Sequence, residues 1–293
     1  MHQTLRPFEL IEPASLEEAV RWLSSYGENA KVLAGGLDVI SKMRRWQIDP
    51  KALVSLQEIP GLDTIEADEK GGLRIGALST LRDIELSPVI KDRYELLHEA
   101  VHQIASVQVK TMGTAAGNLC VATPASDLSP PLLALGAELK ATGPDGTKTI
   151  LMENFYRGLE KTALAPAEIV TEIRIPDFPA HSGGAFLKLA HTAACIAKVN
   201  VAVLVKSVNG VCDDVRIAMG CVAPTVMRAA RAEEMLKGKP LDQAGIAAAA
   251  QAAAEEAAPS SDLRSSAEYR RDMVRVLVGR CIEKALQISR GNS

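Results

Sequence analysis

Two short segments rich in glycine and alanine carry the residue types that let a backbone bind a phosphate group. The first glycine segment, residues 33–38, reads LAGGLD, and the second glycine segment, residues 113–118, reads GTAAGN. Small residues allow a ligand to approach closely, so that exposed N–H groups can donate to phosphate oxygens. Neither segment has the Lys-Ser/Thr of a Walker motif or the GxGxxG spacing of a Rossmann turn. One such segment alone is more typical of a tight turn, but two can hold a pyrophosphate from both sides.

The elements that would position these segments fall into three blocks of the chain. Residues 1–60 are predicted to form a βαβαβ lobe, with the first glycine segment between its second strand and second helix. Residues 61–178 are predicted to form a second lobe of hairpins and helices, in which a glycine- and alanine-rich loop carries the second glycine segment. Residues 183–290 are predicted to form a C-terminal domain, because long strands joined at Asn209-Gly210 are followed by alanine-rich and amphipathic helices.

The composition of the chain argues against several classes of function. The 293 residues carry a net charge of −3 and only 3% aromatic residues, which disfavours binding to nucleic acid. No apolar run is long enough for a membrane span and the N-terminus has no signal-like core, so a cytoplasmic location is expected. The five cysteines are widely spaced without a CxxC pair, which disfavours a metal or iron–sulfur site in this chain.

Three stretches together resemble a known family. They are KVLAGGLDVISKMR, the long stretch VKTMGTAAGNLCVATPASDLSPPLLALGAEL and the tail SSAEYRRDMVRVLVGRCIEKAL. In this order they are similar to the FAD-binding medium subunit of the molybdenum hydroxylases, the xanthine dehydrogenase and carbon monoxide dehydrogenase family, over residues 8–286. The resemblance implies an α+β fold. It consists of a two-lobed FAD-binding domain of the vanillyl-alcohol-oxidase (PCMH) type and a C-terminal domain with a three-stranded antiparallel sheet and helices.

The resemblance also implies which residues contact FAD. The diphosphate would lie between the two glycine segments, held by backbone N–H groups, the Thr114 hydroxyl and the Asn118 amide. Asp127 would accept a hydrogen bond from the cofactor, and Lys188 would stabilise negative charge on the reduced isoalloxazine. The full set of positions is Val32, Leu33, Ala34, Gly35, Gly36, Leu37, Asp38, Val39, Ile104, Thr114, Ala115, Ala116, Gly117, Asn118, Asp127, Val170 and Lys188. No catalytic side chain and no metal ligand is predicted.

Structural interpretations of the same residues stay open. Asp127 after Pro-Ala-Ser is a common helix N-cap, a lysine on a strand such as Lys188 is usually solvated, and Ile104 and Val170 are typical core residues. His191 and Cys195 lie near the same edge, as a possible proton donor and a thiol, but a lone histidine is more often structural.

The second glycine segment also departs from the family pattern. Ala115 and Ala116 stand where the family often has Ile and Gly, and Leu37 stands where relatives often carry a polar residue. If position 116 requires a positive φ, alanine there would weaken cofactor binding.

The resemblance implies an electron-transfer subunit. It would receive electrons from [2Fe–2S] clusters of a small subunit, which in turn receive them from a large molybdenum subunit, and pass them to NAD, a quinone or another acceptor. The assembly would be a dimer of heterotrimers. Two alternatives stay open: a stand-alone flavin oxidase or reductase, and a non-catalytic scaffold with a degenerate flavin site. Flavin content separates the scaffold from the other two, and co-purification with two further subunits separates the subunit from the stand-alone enzyme.

Overall fold

The first lobe is a small parallel sheet with helical crossovers. The computed structural model describes residues 4–69, 71–178 and 181–291. The elements of the lobe are β1 (Glu9–Ile11), α1 (Leu16–Tyr26), β2 (Ala30–Leu33), α2 (Leu37–Arg44) and β3 (Ala52–Ser55). The strand order is β1-β3-β2, with both pairings parallel. Because α2 starts directly after β2 and Gly36, the first glycine segment lies at the carboxyl end of a buried strand, where α/β folds commonly bind ligands.

The second lobe is a five-stranded antiparallel sheet covered by short helices. Its strands run in the order β4-β5-β10-β6-β7. The elements are β4 (Ile65–Ala67), β5 (Leu73–Gly76), α3 (Leu81–Leu86), α4 (Pro88–Arg93), α5 (Glu95–His102), α6 (Val107–Met112), α7 (Ala115–Cys120), α8 (Ser129–Ala134), β6 (Glu138–Gly143), β7 (Gly146–Leu151), β8 (Tyr156–Gly158), β9 (Lys161–Thr162) and β10 (Ile169–Ile175).

The stretch expected to be a loop around the second glycine segment instead contains three short helices, α6 to α8. Ser106 and Thr114 cap the first two, each accepting a backbone N–H with its side-chain oxygen. Prolines occupy the first turn of α8, where their missing N–H groups cost nothing. The glycines and prolines that suggested a loop therefore mark helix ends.

The C-terminal domain has four strands, which corrects the expectation of three. Its elements are β11 (Ser182–Leu189), β12 (Val199–Val208), β13 (Val211–Gly220), β14 (Met227–Arg228), α9 (Ala230–Leu236), α10 (Gln243–Glu256) and α11 (Ala267–Gly291). The antiparallel order is β11-β12-β13-β14. The fourth strand was not predicted from the sequence. It has only two residues, paired with Met219 and Ala218, and is too short to show an alternating pattern.

The C-terminal sheet is buried on both faces, and this joins the two domains. Along β12, Val201 and Val203 belong to the core shared with α10 and α11, whereas Ala202 and Leu204 belong to the core of the second lobe. The alternation follows from the two-residue period of a strand. A side chain at Gly184 would lie 2.8 Å from Leu96 Cβ on α5, so the sheet and that helix are in close contact.

One end of this shared core lies where β11 ends and β12 begins. Lys188 is the penultimate residue of β11, and Asn200 is the second residue of β12. Both therefore lie on the C-terminal domain at its contact with the second lobe. Across the described ranges, no helix has both the length and the apolar character needed to cross a membrane.

Candidate functional site

The two glycine segments are in direct backbone contact. A Cβ atom at Gly35 would lie only 1.9 Å from the Met112 carbonyl oxygen and 3.3 Å from Gly113 Cα. No residue other than glycine fits there unless the backbones separate, because real Cβ atoms do not approach other atoms so closely. The structure thus brings together two segments 80 positions apart in the sequence, as the sequence analysis expected.

The first glycine segment turns the chain into α2 without a side-chain cap. Gly36 adopts the left-handed conformation with φ of 73°, and no side chain caps the helix N-terminus. The first-turn N–H groups of α2 are therefore available for an anion. Leu37 is partly exposed, and its Cδ1 lies against Gly113.

The other positions of residues 32–39 surround this turn. Val32 and Leu33 end β2, Ala34 accepts a hydrogen bond from the Gln57 side chain through its carbonyl, and Val39 lies in the first turn of α2. Asp38 pairs with Lys42 at 3.3 Å, and Lys42 also reaches Glu160 of the second lobe at 3.2 Å.

The second glycine segment forms the start of α7. Thr114 is the N-cap, and its hydroxyl oxygen accepts the Gly117 N–H at 3.1 Å. Ala115 and Ala116 are buried in the first turn, and neither has a positive φ. The alanine at position 116 therefore strains nothing, and the concern raised by the sequence does not apply.

Several backbone donors of this segment already have partners inside the protein. The Ala115 N–H donates to the Ser79 carbonyl, and the Asn118 N–H donates to the Thr114 carbonyl. The Gly117 N–H is held by Thr114, and the Asn118 side-chain amide is a donor that the segment can still offer to a ligand. That amide is half-buried, and its Oδ1 accepts a hydrogen bond from Ser126.

Asp127 and Lys188 form a buried ion pair rather than a cap and a solvated lysine. Lys188 Nζ lies 2.6 Å from Asp127 Oδ2, with the side chains 3% and 8% exposed. Lys188 also donates to the Gln103 carbonyl at 3.0 Å, and Asn200 Nδ2 donates to Asp127 Oδ1 at 2.6 Å. Burial raises the pKa of Asp127, and the hydrogen bond from Lys188 offsets only part of that rise.

Ile104 and Val170 are core residues in this structure. They are 6% and 4% exposed and belong to the same hydrophobic cluster as Ala115 and Ala116. Ile104 follows Gln103, whose carbonyl accepts from Lys188, so it lies beside the ion pair. Ile104 thus packs next to the candidate site, whereas Val170 is placed in the core of the second lobe.

His191 and Cys195 lie on an exposed loop after β11. The loop is closed at its base by the hydrogen bond from Lys198 N to the Leu189 carbonyl, at 2.7 Å. The hydrogen bond from Thr192 lowers the pKa of Cys195. The positive charge of Lys188 lowers it further, so Cys195 lies within electrostatic range of the ion pair.

The site includes residues that sequence analysis did not single out. Ser126, Asn200 and the Gln103 carbonyl fix the orientation of Asn118, Asp127 and Lys188. The available signal was weak: Ser126 lies in a Pro-Ala-Ser-Asp run that suggests only a cap, and Asn200 lies on a strand of the other domain.

Comparison with protein-family models assigns both parts of the chain. Residues 6–178 match the FAD binding domain in molybdopterin dehydrogenase, and residues 185–285 match the CO dehydrogenase flavoprotein C-terminal domain.

Curated relatives and solved structures agree with these assignments. The carbon monoxide dehydrogenase medium chain of Hydrogenophaga pseudoflava is 33% identical over 278 residues, covering 95% of this chain and 96% of that protein. A putative xanthine dehydrogenase FAD-binding subunit of Escherichia coli is 28% identical, with the same coverage. The carbon monoxide dehydrogenase structure from H. pseudoflava superimposes with a TM-score of 0.94 at 34% identity, over 97% of this chain and 99% of that one. Quinoline 2-oxidoreductase from Pseudomonas putida gives 0.91 at 27% identity, over 97% and 98%.

Proposed function

The chain belongs to the family of FAD-binding medium subunits of the molybdenum hydroxylases, and from that premise we propose where it holds FAD and where the electrons go. It is an oxidoreductase flavoprotein subunit. The proposed site has the FAD diphosphate between the two glycine segments and the flavin end towards Asp127 and Lys188. The contact of Gly35 with the Met112 carbonyl is the observation that carries this proposal.

The donors and acceptors of the site fit FAD. The uncapped first turn of α2 and the Asn118 amide offer hydrogen-bond donors to an anionic diphosphate. The small residues of the two segments leave the backbone, rather than side chains, to form the wall of the site. Asp127 and Lys188 are both buried at the contact between the two domains.

Lys188 acts in this proposal as half of a neutral pair. An ammonium group has three N–H donors, and the bonds to Asp127 and Gln103 use two of them. The third can donate to a cofactor atom, while the carboxylate balances the lysine charge. FAD, when bound, supplies the capacity to accept electrons and release them to another acceptor. In this proposal the pair orients the flavin. Because its net charge is zero, it changes the redox potential of the flavin less than an unpaired cation would.

We further propose that the electrons enter from [2Fe–2S] clusters of a small subunit and originate at a large molybdenum subunit. The proposed assembly is a dimer of heterotrimers, with NAD, a quinone or another molecule as the acceptor. In support, the relative from Hydrogenophaga pseudoflava is the medium chain of a carbon monoxide dehydrogenase, and the structure of that enzyme is described by the state of its molybdenum cofactor.

Replacement of Gly35 by alanine tests the position of the cofactor. The new Cβ would overlap the Met112 carbonyl, so the two glycine segments must separate and bound FAD per chain should fall by roughly tenfold or more. Gly279→Ala in α11 is the matched control, because its Cβ would make only an ordinary contact with Ala250 of α10. Circular dichroism must show both variants folded. Full FAD content in folded Gly35→Ala would contradict the proposed site.

Co-purification tests the proposed electron route. The chain expressed with its candidate large and small subunits should form one complex whose flavin is reduced when the substrate of the complex is added. The flavin of the isolated chain should stay oxidised under the same conditions. Reduction of the isolated chain by substrate would favour a stand-alone enzyme instead.

A further inference from the structure

The Ser126 hydroxyl is fully engaged inside the protein. The side chain is 5% exposed. Its oxygen accepts the backbone N–H groups of Leu128 and Ser129, each at 3.2 Å, and lies 2.7 Å from Asn118 Oδ1. Ser126 thus connects the turn before α8 to the side chain of the second glycine segment.

Proton counting fixes the direction of the third bond. A serine hydroxyl has one proton and two lone pairs, and backbone N–H groups can only donate. Both lone pairs of Ser126 are therefore used by Leu128 and Ser129, and its proton must be donated to Asn118. The acceptor can only be the amide oxygen, so the two ends of the Asn118 amide are not interchangeable.

The alternative orientation of the amide is disfavoured. A flipped Asn118 would place its NH₂ group against the Ser126 hydroxyl, donor against donor, and the hydroxyl proton would lose its acceptor. The NH₂ group is therefore held on the side away from Ser126, as a pre-oriented donor of two N–H groups. Such preorganisation reduces the cost of ordering a side chain when a ligand binds.

The C-terminal domain holds Ser126 itself in place. Asn200 Nδ2 donates to the Ser126 carbonyl at 3.2 Å and to Asp127 Oδ1 at 2.6 Å. Because Asn200 is completely buried on β12, the position of Ser126 is set by the other domain.

We propose that Ser126 is a positioning residue for the cofactor, which turns the Asn118 amide so that its NH₂ group donates to the FAD diphosphate. This rests on the proposed function and adds a residue that acts through Asn118. Three further expectations follow: loss of the hydroxyl weakens FAD binding, this effect on FAD affinity requires Asn118, and nearby hydroxyls do not replace that of Ser126.

FAD titration of the flavin-free full-length chain, followed by flavin fluorescence, tests this proposal. Asn118→Ala should weaken binding about 10- to 100-fold, the range for a hydrogen bond to a charged group. Ser126→Ala should weaken it about 3- to 10-fold, the range for a neutral hydrogen bond. In the Asn118→Ala background, Ser126→Ala should change affinity by less than about twofold, because coupled residues are not additive.

A matched control separates positioning from stability. Ser129→Ala removes a buried hydroxyl three residues away that bonds Tyr156 at 2.7 Å and does not contact Asn118. It should leave FAD affinity within about twofold of the wild type, even where the thermal midpoint of the flavin-free protein falls. Thermal unfolding of Ser126→Ala, which loses two backbone acceptor contacts, should show a lower midpoint with or without Asn118.

The outcomes separate this proposal from the one on which it rests. A wild-type chain that binds no FAD, alone or with its partner subunits, contradicts the proposed function. A wild-type chain that binds FAD, with Ser126→Ala unchanged in affinity, overturns the positioning role alone. An equal loss of affinity on Ser126→Ala with and without Asn118 also overturns it, since the effect would then be general loosening of the structure.

Discussion

Two buried lysine–carboxylate pairs lie at the C-terminal end of α5, where Lys110 donates to the His102 carbonyl and Lys188 to the Gln103 carbonyl. The net pKa shifts of their carboxyl groups are opposite, although burial raises the pKa of both. At the candidate site, Asp127 has one cation, Lys188, and one neutral donor, Asn200, and its pKa is raised by burial. In the second lobe, Glu85 pairs with Lys110 at 2.5 Å, and its pKa is lowered to about 2 despite the opposing effect of burial.

The number of donors explains the difference. Glu85 also accepts hydrogen bonds from Arg82 at 2.6 Å and His102 at 2.9 Å. Together with Lys110, three side chains therefore stabilise its charged form. Asp127 lacks a second cation, and its negative charge depends on Lys188. The Glu85 cluster is therefore expected to stabilise the fold, whereas the Asp127–Lys188 pair is expected to keep polar groups at the proposed cofactor site at a cost in stability.

Replacement of each lysine in turn should give the largest difference in stability between the two pairs. Lys188→Met leaves Asp127 buried without a cation and should lower the free energy of unfolding by about 3 to 5 kcal/mol. Lys110→Met leaves Arg82 on Glu85 and should cost about 1 to 2 kcal/mol. Urea unfolding of the flavin-free variants measures both. Equal losses would show that the second cation does not protect Glu85.

Replacement of both members of the site pair should separate stability from binding. Asp127→Asn combined with Lys188→Met removes the buried charges, and about 2 kcal/mol of the loss caused by Lys188→Met should return. FAD affinity should stay low, because the proposed donor and acceptor are both gone. Restored affinity in the double variant would mean that the pair affects FAD only through folding.

The pH dependence of stability should report the lowered pKa of Glu85. Its pKa is about 2 in the folded protein, below the ordinary 4.5, so the folded state binds fewer protons than the unfolded state. The stabilisation is therefore fully present above pH 4.5 and is lost as the pH falls from there towards 2. With allowance for solvent screening, it amounts to roughly 1 to 2 kcal/mol.

Glu85→Gln provides the control, since other carboxyl groups also titrate in this range. The difference in unfolding free energy between wild type and Glu85→Gln should shrink as the pH is lowered from 7 to 3.5. A constant difference would contradict the lowered pKa.

The smallest effect is expected for the outermost partner of Glu85. Arg82 is about one-third exposed, and Arg82→Met should cost less than about 1 kcal/mol because solvent screens such pairs. Its effect should also decrease at high salt, in contrast to that of Lys110→Met. The same urea titrations at low and high salt check this order, and an effect larger than that of Lys110→Met would reverse it.

Local patterns predicted the elements with regular periodicity and those with strong turn signals. The parallel lobe follows from alternating strands and helices, and the β12–β13 hairpin follows from Asn209-Gly210. The three short helices α6 to α8 were missed because glycine and proline also mark helix ends. The two-residue β14 is too short to have a detectable period.

For the site, sequence predicted the individual positions better than their partners. Residue type singled out the two glycine segments, and the family resemblance implied that they face each other across the diphosphate; their contact at Gly35 agrees with this. The pairing of Asp127 with Lys188, and the support from Asn200, depend on how two domains pack. Such contacts join positions 61 and 73 residues apart, and no local pattern in one sequence encodes them.

Whether the chain binds FAD is measured by the visible absorbance spectrum of the purified protein, with the released cofactor identified and counted. We expect flavin bands and one FAD per chain, either as isolated or after addition of FAD to the flavin-free protein. A folded chain that stays colourless, takes up no added FAD and gains none when expressed with its partner subunits would contradict the account and favour a scaffold with a degenerate site.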